Sequence, residues 1–519
     1  MTEPLKTLVH DALRDQAADI LRQLLARGVT PRGVSGDSRQ VRAGDVFLAY
    51  PGHQADGRSF IADAVARGAV AVLCEADGEK VGAGDTAMNC PVPCLAVANL
   101  AMLAGSLAHL VYGQPSAQLW LAGVTGTNGK TSVSQWLMQA LTQLGQRCAV
   151  IGTLGNGFPH ALQESGFTTP DAPRLHAALA DFVARGATAC AMEVSSIGLA
   201  EGRVNGVLFD VAIFTNLTRD HLDYHGTLAA YGEAKARLFN APGLAAAVLN
   251  LDDEFSAQLL AALRGKIRII GYTLDEKLVR PEGVDKLLVA ENLGMTATGL
   301  RFDLNGQSFA APVLGRFNAA NLLAVIGALL AHGDSLAAIA DAVQTLQPPP
   351  GRLQALGGKN EPQVVVDYAH SPDALDKALT ALREVAAARG GRLVCVFGCG
   401  GDRDAGKRPQ MGAVAERLAD VVVVTSDNPR HEDAQAIIDD ILAGMQQSPV
   451  VEAERGRAIA GAIAHAAARD VILLAGKGHE TYQEIAGVRQ PFADADIAKS
   501  ALAARRTAHS SSLAGGCAT

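Results

Sequence analysis

Leu119-Trp120-Leu121-Ala122-Gly123-Val124-Thr125-Gly126-Thr127-Asn128-Gly129-Lys130-Thr131 is the stretch on which the reading of this chain turns. Residues 119–124 form a short apolar run, as a buried strand does. Beyond Lys130-Thr131-Ser132, the residues Val133, Trp136, Leu137, Ala140, Leu141 and Leu144 recur at the spacing of one helix face. The glycine-rich hexamer 126–131 therefore joins a strand to a helix, the context of a loop that cradles phosphate. Glycines let backbone N–H groups approach phosphate oxygens, and the helix N-terminus adds favourable potential. Gly126, Thr127, Asn128, Gly129, Lys130, Thr131 and Ser132 are the expected ATP contacts, with Lys130 on the outer phosphates and the Thr131 hydroxyl on Mg²⁺. The general pattern asks for Gly five residues before Gly129, where this chain has Val124. A plain strand-to-helix turn is the competing reading, but such a turn has no need of Lys-Thr directly after its glycine.

Outward from this loop, short apolar runs, polar or Gly-rich loops and helical stretches alternate, which predicts an α/β fold with parallel sheets covered on both faces. Before it, 59–67 reads as a helix, Gly68 as its C-terminal cap and 69–74 as a buried strand. A boundary falls at Tyr112-Gly113-Gln114-Pro115-Ser116. After it, strands are expected at 189–194, 211–214, 247–249 and 267–270, then a hairpin of 300–304 and 307–310 around Asn305-Gly306. Pro348-Pro349-Pro350-Gly351 marks a second boundary, since three prolines cannot continue a helix. Strands at 364–366, 393–397, 421–424 and 471–474 follow, each ending in a polar or Gly-rich loop, where ligands of open α/β sheets bind. The organisation expected is 1–115, 116–349 and 350–508, with a frayed tail at 509–519.

Composition narrows the class. With 519 residues, 49% hydrophobic and 19% charged, the chain can bury several cores and is no disordered polymer. A net charge of −8 argues against a nucleic-acid binder that neutralises phosphates. No uninterrupted apolar stretch is long enough to span a membrane. Residues 1–14 resemble neither a signal nor a transit peptide, so the eight cysteines are expected as reduced thiols in the cytoplasm. Zinc is disfavoured, because no Cys–His set has ligand spacing and Cys90 and Cys94 lack partners; Cys395 and Cys399 read as packing thiols.

Three further clusters carry chemistry. In Met192-Glu193-Val194-Ser195-Ser196, Glu193 ends a strand and suits a hard cation, although a helix cap made by Ser195 or Ser196 is an equal reading. The polar loop 215–225 holds His221, a candidate for metal or phosphate. Arg403 and Arg430 follow strands of the third segment, and planar guanidinium groups capture carboxylates bidentately; the alternative is a pair of surface ion pairs. With Asp427 and Glu480 to hold an ammonium group, this set matches an amino acid carrying both charges.

Taken together, these strings resemble the Mur ligases of bacterial cell-wall synthesis over nearly the whole chain. Asp37-Ser38-Arg39, Gly52-His53-Gln54-Ala55-Asp56-Gly57-Arg58, Gly315-Arg316-Phe317-Asn318, Val366-Asp367-Tyr368-Ala369-His370, Asp427-Asn428-Pro429-Arg430 and Gly476-Lys477-Gly478-His479-Glu480 carry the resemblance with the phosphate loop. It implies a small UDP-binding domain, a central P-loop-type ATPase domain with a mostly parallel sheet, and a C-terminal Rossmann-like domain. It is closest to the members that add meso-2,6-diaminopimelate to UDP-MurNAc-L-Ala-D-Glu through an acyl phosphate, with ATP as co-substrate and Mg²⁺ as cofactor. A cytoplasmic protein and a monomer are expected. The resemblance places Gly36, Ser38, His53, Gln54 and Ala55 on the nucleotide sugar, and Thr168, Thr169, Ser195 and Arg203 on its peptide. It places Asn321, Arg352 and Asp367 at ATP, and Arg403, Asp427, Asn428, Pro429, Arg430, Gly476 and Glu480 at diaminopimelate. Lys130, Glu193, His221 and Lys235 become the catalytic set, and Thr131, Glu193, His221 and Lys235 the metal set. Lys235 matches a lysine that the family carries as a carbamate; its own spacing reads as an ordinary helix-surface lysine. Departures from the family pattern are Phe167, Ile197 and Glu201, where Asn, His and Gln are usual. The alternatives are a ligase that adds lysine, a folylpolyglutamate synthetase-like ligase, or a P-loop switch that needs no amino-acid site.

Overall fold

The computed structural model describes residues 3–52, 55–76, 90–164, 166–296 and 299–515, with side chains within 12–507. The chain forms two compact units, Met1–Ala290 with Ala320–Ala342, and Glu291–Ala319 with Val343–Thr519.

Among the described residues, the first unit holds two sheets. The smaller has four parallel strands in chain order, Gly33–Ser35, Asp45–Ala49, Ala71–Glu75 and Cys94–Val97. The helix Ile61–Ala66 ends where expected: Gly68 has φ +104° and lies against Ala43, where a Cβ would be crowded. The larger sheet has nine strands, and its centre decides the site. Trp120–Thr125 pairs in parallel with Val211–Phe214 on one side and Ala189–Glu193 on the other. Thr125 stands opposite Phe214, and Val124 opposite Glu193. The three loops singled out in the sequence therefore leave the same edge of the sheet side by side. These strands are buried on both faces, so they read as continuous apolar runs rather than alternating ones. Ala246–Asn250, Arg268–Thr273 and Lys286–Val289 extend the sheet beyond Val211–Phe214. On the opposite side, Cys148–Gly152 is a parallel strand that the sequence reading did not anticipate.

The second unit is built on six strands in the order Gln354–Gly357, Gln363–Asp367, Val471–Ala475, Leu393–Phe397, Val421–Val424 and Val450–Val451, all parallel except the first. It also holds the expected hairpin, Gly299–Leu304 with Gln307–Ala311. Asn305 and Gly306 both have positive φ (50° and 79°), as a tight two-residue turn requires, and Phe302 stacks on Phe309 across the pair at 5.3 Å. The terminal helix runs over Asp494–Gly515, so the start of the stretch expected to fray is helical instead. Among the described residues, no helix is long and apolar enough to cross a membrane.

Candidate active site

The phosphate loop is braced from the neighbouring strand. The N–H of Thr127 donates to the Asn216 carbonyl at 2.8 Å, and that of Asn128 to Asn216 Oδ1 at 3.0 Å. Thr215 Oγ1 and Asn216 Nδ2 both donate to the Asn128 carbonyl (2.6 and 3.1 Å). The polar residues before His221 thus shape the cradle. Its glycines are obligatory: a Cβ at Gly126 would collide with Thr215 Oγ1, and one at Gly129 with Asn321 Oδ1. That second contact puts Asn321 beside the loop.

Two lysines meet at this loop. Lys130 Nζ donates to the carbonyls of Gly126 (2.8 Å) and Thr127 (2.9 Å). Lys235 Nζ donates to the same Gly126 carbonyl at 2.8 Å and lies 4.1 Å from the centre of the Tyr231 ring. Lys235 is 1% exposed, which overturns the surface reading of its spacing. Burial, and then the charge of Lys130, hold its pKa well below the ordinary lysine value. The neutral amine is the form that this site favours.

Glu193 is buried and faces the helix start. Its Oε2 accepts from Thr131 Oγ1 at 3.0 Å and Thr153 Oγ1 at 3.1 Å, and its Oε1 from the Thr153 N–H at 2.9 Å. Ser195 meanwhile caps the next helix through the Gly198 N–H, so the metal-type carboxylate and the helix cap coexist in one string. Thr153 escaped the sequence reading, although Gly152-Thr153 closes an apolar strand and so carried the usual signal of a strand-end site. Thr168 Oγ1 lies 3.0 Å from Thr153 Oγ1, and Thr169 Oγ1 donates to the Glu193 carbonyl at 3.0 Å. Arg203 Nη1 donates to the Thr169 carbonyl at 2.9 Å and pairs with Glu201 at 2.6 Å. The expected peptide contacts therefore form one network with Glu193. His221 stands apart from that network, half-exposed, with φ 51° and Asp220 as its neighbour (Nε2 to Oδ2 3.6 Å).

The donor set is of the kind that magnesium takes. A hydroxyl and a carboxylate in contact at a phosphate-binding helix start are hard oxygen ligands, and Mg²⁺ is commonly held by one or two carboxylates plus substrate phosphates. Among the described residues no group of three or more His, Cys, Asp or Glu forms a metal cage. The residues fit a magnesium ion shared with a nucleotide. Cys395 and Cys399 are buried packing thiols, both pushed up to about 12 by burial.

Also in the first unit, a cleft of about 1360 Å³ is lined by Gly36, Ser38, Tyr50, Ala55, Phe167 and Arg174, among others. Asp37 receives Arg174 at 3.3 Å, and the Phe167 ring lies between the guanidinium groups of Arg174 (5.9 Å) and Arg203 (5.7 Å). The Phe167 departure thus presents a ring to two cations. His53 and Gln54 lie outside the described residues.

In the second unit, Asp427, Asn428, Gly476 and Glu480 come together. Asn428 Nδ2 donates to Glu480 Oε2 at 2.8 Å. Its Oδ1 accepts from the Glu484 N–H and from Lys477 Nζ, both at 3.0 Å. Lys477, fully buried, also reaches Glu480 at 3.0 Å, so the Glu480 charge is already balanced by a residue that the sequence reading passed over. A Cβ at Gly476 would collide with Asp427 Oδ2, and burial raises the Asp427 pKa. Arg430 has φ 54°; its N–H donates to the Glu484 carbonyl at 3.0 Å and its Nη1 to the Gly401 carbonyl at 2.6 Å. A carbonyl does not neutralise a guanidinium; the Asp402 carboxyl, held below its usual range first by its hydrogen bond to His431, also feels the Arg430 charge. Arg403 is exposed, with Nη1 3.3 Å from the Asp402 carbonyl. Elsewhere in this unit, Arg352 lies 4.7 Å from the Tyr368 ring, and the half-buried Asp367 carboxylate accepts from the Leu353 N–H at 2.8 Å.

Backbone N–H groups at a helix start, backed by a lysine, recognise phosphate whatever else the ligand carries. The first unit is accordingly that of a phosphate-loop nucleotide-binding protein. Residues 31–110 match the model of the Mur ligase family catalytic domain, 124–329 the Mur ligase middle domain, and 351–478 the Mur ligase glutamate ligase domain. The chain belongs to the Mur ligase family, whose three-domain α/β fold and ATP dependence it shares. It is similar to the UDP-N-acetylmuramoyl-L-alanyl-D-glutamate--2,6-diaminopimelate ligase of Chromobacterium violaceum, 52% identical over 95% of this chain and 98% of that protein. The protein of the same name from Ectopseudomonas mendocina is 53% identical over 94% of this chain and 99% of its own. A solved structure of a ligase with this name superposes with a TM-score of 0.67 at 37% identity, covering 92% of this chain and 95% of that one.

Proposed function

We propose that this protein adds meso-2,6-diaminopimelate to the D-glutamate carboxylate of UDP-MurNAc-L-Ala-D-Glu, with ATP as co-substrate, in the cytoplasm and as a monomer. Residues 1–115 hold the nucleotide sugar, 116–349 the ATP and 350–508 the amino acid. The side-chain carboxylate of the glutamate attacks the γ-phosphorus and ADP departs, leaving an acyl phosphate. The amine of diaminopimelate then attacks that carbonyl, loses a proton and expels phosphate, so one amide forms for each ATP consumed.

The barrier is electrostatic, because an anionic carboxylate must meet an anionic triphosphate. Groups fixed before the reaction stabilise the charge that develops. Lys130, Ser132 and the loop N–H groups receive the phosphates, with Asn321, Arg352 and Asp367 completing the ATP contacts. Thr131, Glu193, His221 and the carbamate of Lys235 would hold magnesium, which would supply countercharge to the transferring group. Lys235 suits that modification because only a neutral amine adds CO₂, and its burial favours the neutral form. Gly36, Ser38, His53, Gln54 and Ala55 receive the nucleotide sugar. Thr168, Thr169, Ser195 and Arg203 orient the peptide carboxylate next to Glu193.

The observation that carries the choice of amino acid is Arg430, whose hydrogen bond goes to a neutral carbonyl and whose charge is shared only at longer range with Asp402. Beside it, Asp427, Asn428, Gly476 and Glu480 suit the zwitterionic end of the substrate, and Pro429 and Arg403 border them. Diaminopimelate exceeds lysine by one carboxylate, and a charge-assisted hydrogen bond contributes ~1.5–3 kcal/mol. Arg430→Ala is therefore expected to raise KM for diaminopimelate by about ten- to a hundredfold and to narrow the preference over lysine. Steady-state rates with both amino acids in parallel measure this. Unchanged KM and unchanged lysine rejection would refute the assignment and favour a lysine-adding or folylpolyglutamate-type reading.

A further inference from the structure

Arg455 opens the helix Arg455–His465, and Asp494 opens the terminal helix Asp494–Gly515. Both are fully buried, and they form a two-point pair: Arg455 Nε to Asp494 Oδ1 at 2.7 Å and Nη2 to Oδ2 at 2.6 Å. The remaining reach of the guanidinium goes to two backbone carbonyls. Nη2 donates to Ala475 at 2.9 Å, and Nη1 to Ser426 at 3.3 Å. Ser426 and Ala475 immediately precede Asp427 and Gly476, the first residues of the two loops assigned above to the incoming amino acid.

The strands that deliver these loops are not neighbours. Leu393–Phe397 lies between Val421–Val424 and Val471–Ala475, so no backbone ladder ties the two loops together. The guanidinium spans that gap. Gly398 follows the intervening strand, and a Cβ there would collide with the Thr425 carbonyl, so residues 425–427 can lie across it only because it has no side chain. Further out, Asn428 bonds Glu480, Lys477 and Glu484, and Gln483 Nε2 donates to Ser426 Oγ at 3.0 Å and to the Asp427 carbonyl at 2.6 Å, but at the strand ends themselves the guanidinium bridges the two backbones.

Stability does not explain the pair. A buried ion pair can often be replaced by packed apolar residues at little cost or with a gain, because desolvation offsets most of the attraction. A planar fork is distinctive in holding several acceptors at fixed spacing. We propose that Arg455 and Asp494 are positioning residues for amino-acid recognition: they set the distance between the Asp427 and Gly476 loops without touching substrate. This rests on the assignment of those loops to diaminopimelate.

The test uses the full-length enzyme, with each of the three substrates varied in turn. Asp494→Asn keeps the shape and removes the charge. It is expected to raise KM for diaminopimelate by about ten- to a hundredfold, as loss of an outer support commonly does, while KM for ATP and for the nucleotide dipeptide stay within about twofold. The paired change Arg455→Met with Asp494→Leu is expected to unfold thermally no earlier than the wild type and still show the raised KM for diaminopimelate. A folded paired variant with wild-type KM for diaminopimelate would overturn the proposal. So would an Asp494→Asn enzyme in which all three KM values rise together, since that is the mark of a merely structural pair. Arg430→Ala, run alongside, separates the two layers. If it leaves KM for diaminopimelate unmoved, the loop assignment itself falls, and this inference with it.

Discussion

Lys130→Ala is expected to lower kcat by about a thousandfold or more while leaving the protein folded. Both halves follow from where the ammonium sits. Its hydrogen bonds to the carbonyls of Gly126 and Thr127, residues of its own loop, hold the ammonium over the cradle. The loop keeps its shape through Thr215 and Asn216 of the neighbouring strand end. Removing Lys130 therefore removes a positive charge from the path of phosphoryl transfer, where a single well-placed cation commonly contributes ~10³–10⁵-fold in kcat. Rapid-quench measurement of ADP formation, with thermal unfolding as the companion measurement, checks both halves. Turnover within tenfold of the wild type would mean that the cradle is not the site of transfer.

Lys235 separates two accounts of the same side chain. As a plain buried amine it is a hydrogen-bond donor to Gly126 and little more. As a carbamate it becomes a carboxylate, a hard ligand beside the phosphate loop. The second account predicts that Lys235→Met folds and loses activity by about a thousandfold, on the scale of other groups that stabilise a transferring phosphoryl. It also predicts a carbamate carbon resonance in the wild type supplied with ¹³C-labelled bicarbonate, absent from the variant. Lys235→Arg is expected to do worse in stability. Arginine cannot shed its proton, and an unpaired buried charge beside Lys130 costs about 3–5 kcal/mol. A fully active Lys235→Met enzyme would remove this residue from the reaction.

Much of this architecture is legible in the chain because its signals are local. Asn305-Gly306 between apolar runs gives a hairpin with Phe302 opposite Phe309. The runs 393–397 and 421–424 coincide with observed strands, and the glycine-lysine-threonine step marks a helix start at Lys130. What stays hidden depends on partners distant in sequence. Lys235 is buried because the helix Leu228–Ala236 turns it toward Gly126, more than a hundred residues earlier, and Tyr231, Gly232 and Ala234 are buried along with it. That helix has no clear polar face from which the orientation could be read. Thr153 gains its meaning only when Cys148–Gly152 pairs with the strand that ends at Glu193. Lys477 looked like loop polarity until Asn428 and Glu480 closed on it. The two boundaries drawn at 112–116 and 347–351 rest on turn chemistry alone. The structure gathers 291–319 with the later residues, a grouping that no local pattern announces.

The central claim is that an oxygen of the glutamate carboxylate is phosphorylated before the amine arrives. Supplying the nucleotide dipeptide with ¹⁸O in that carboxylate, together with ATP and diaminopimelate, tests it directly. The account predicts one ¹⁸O atom in the released phosphate for every amide formed. Amide formation with unlabelled phosphate would contradict it.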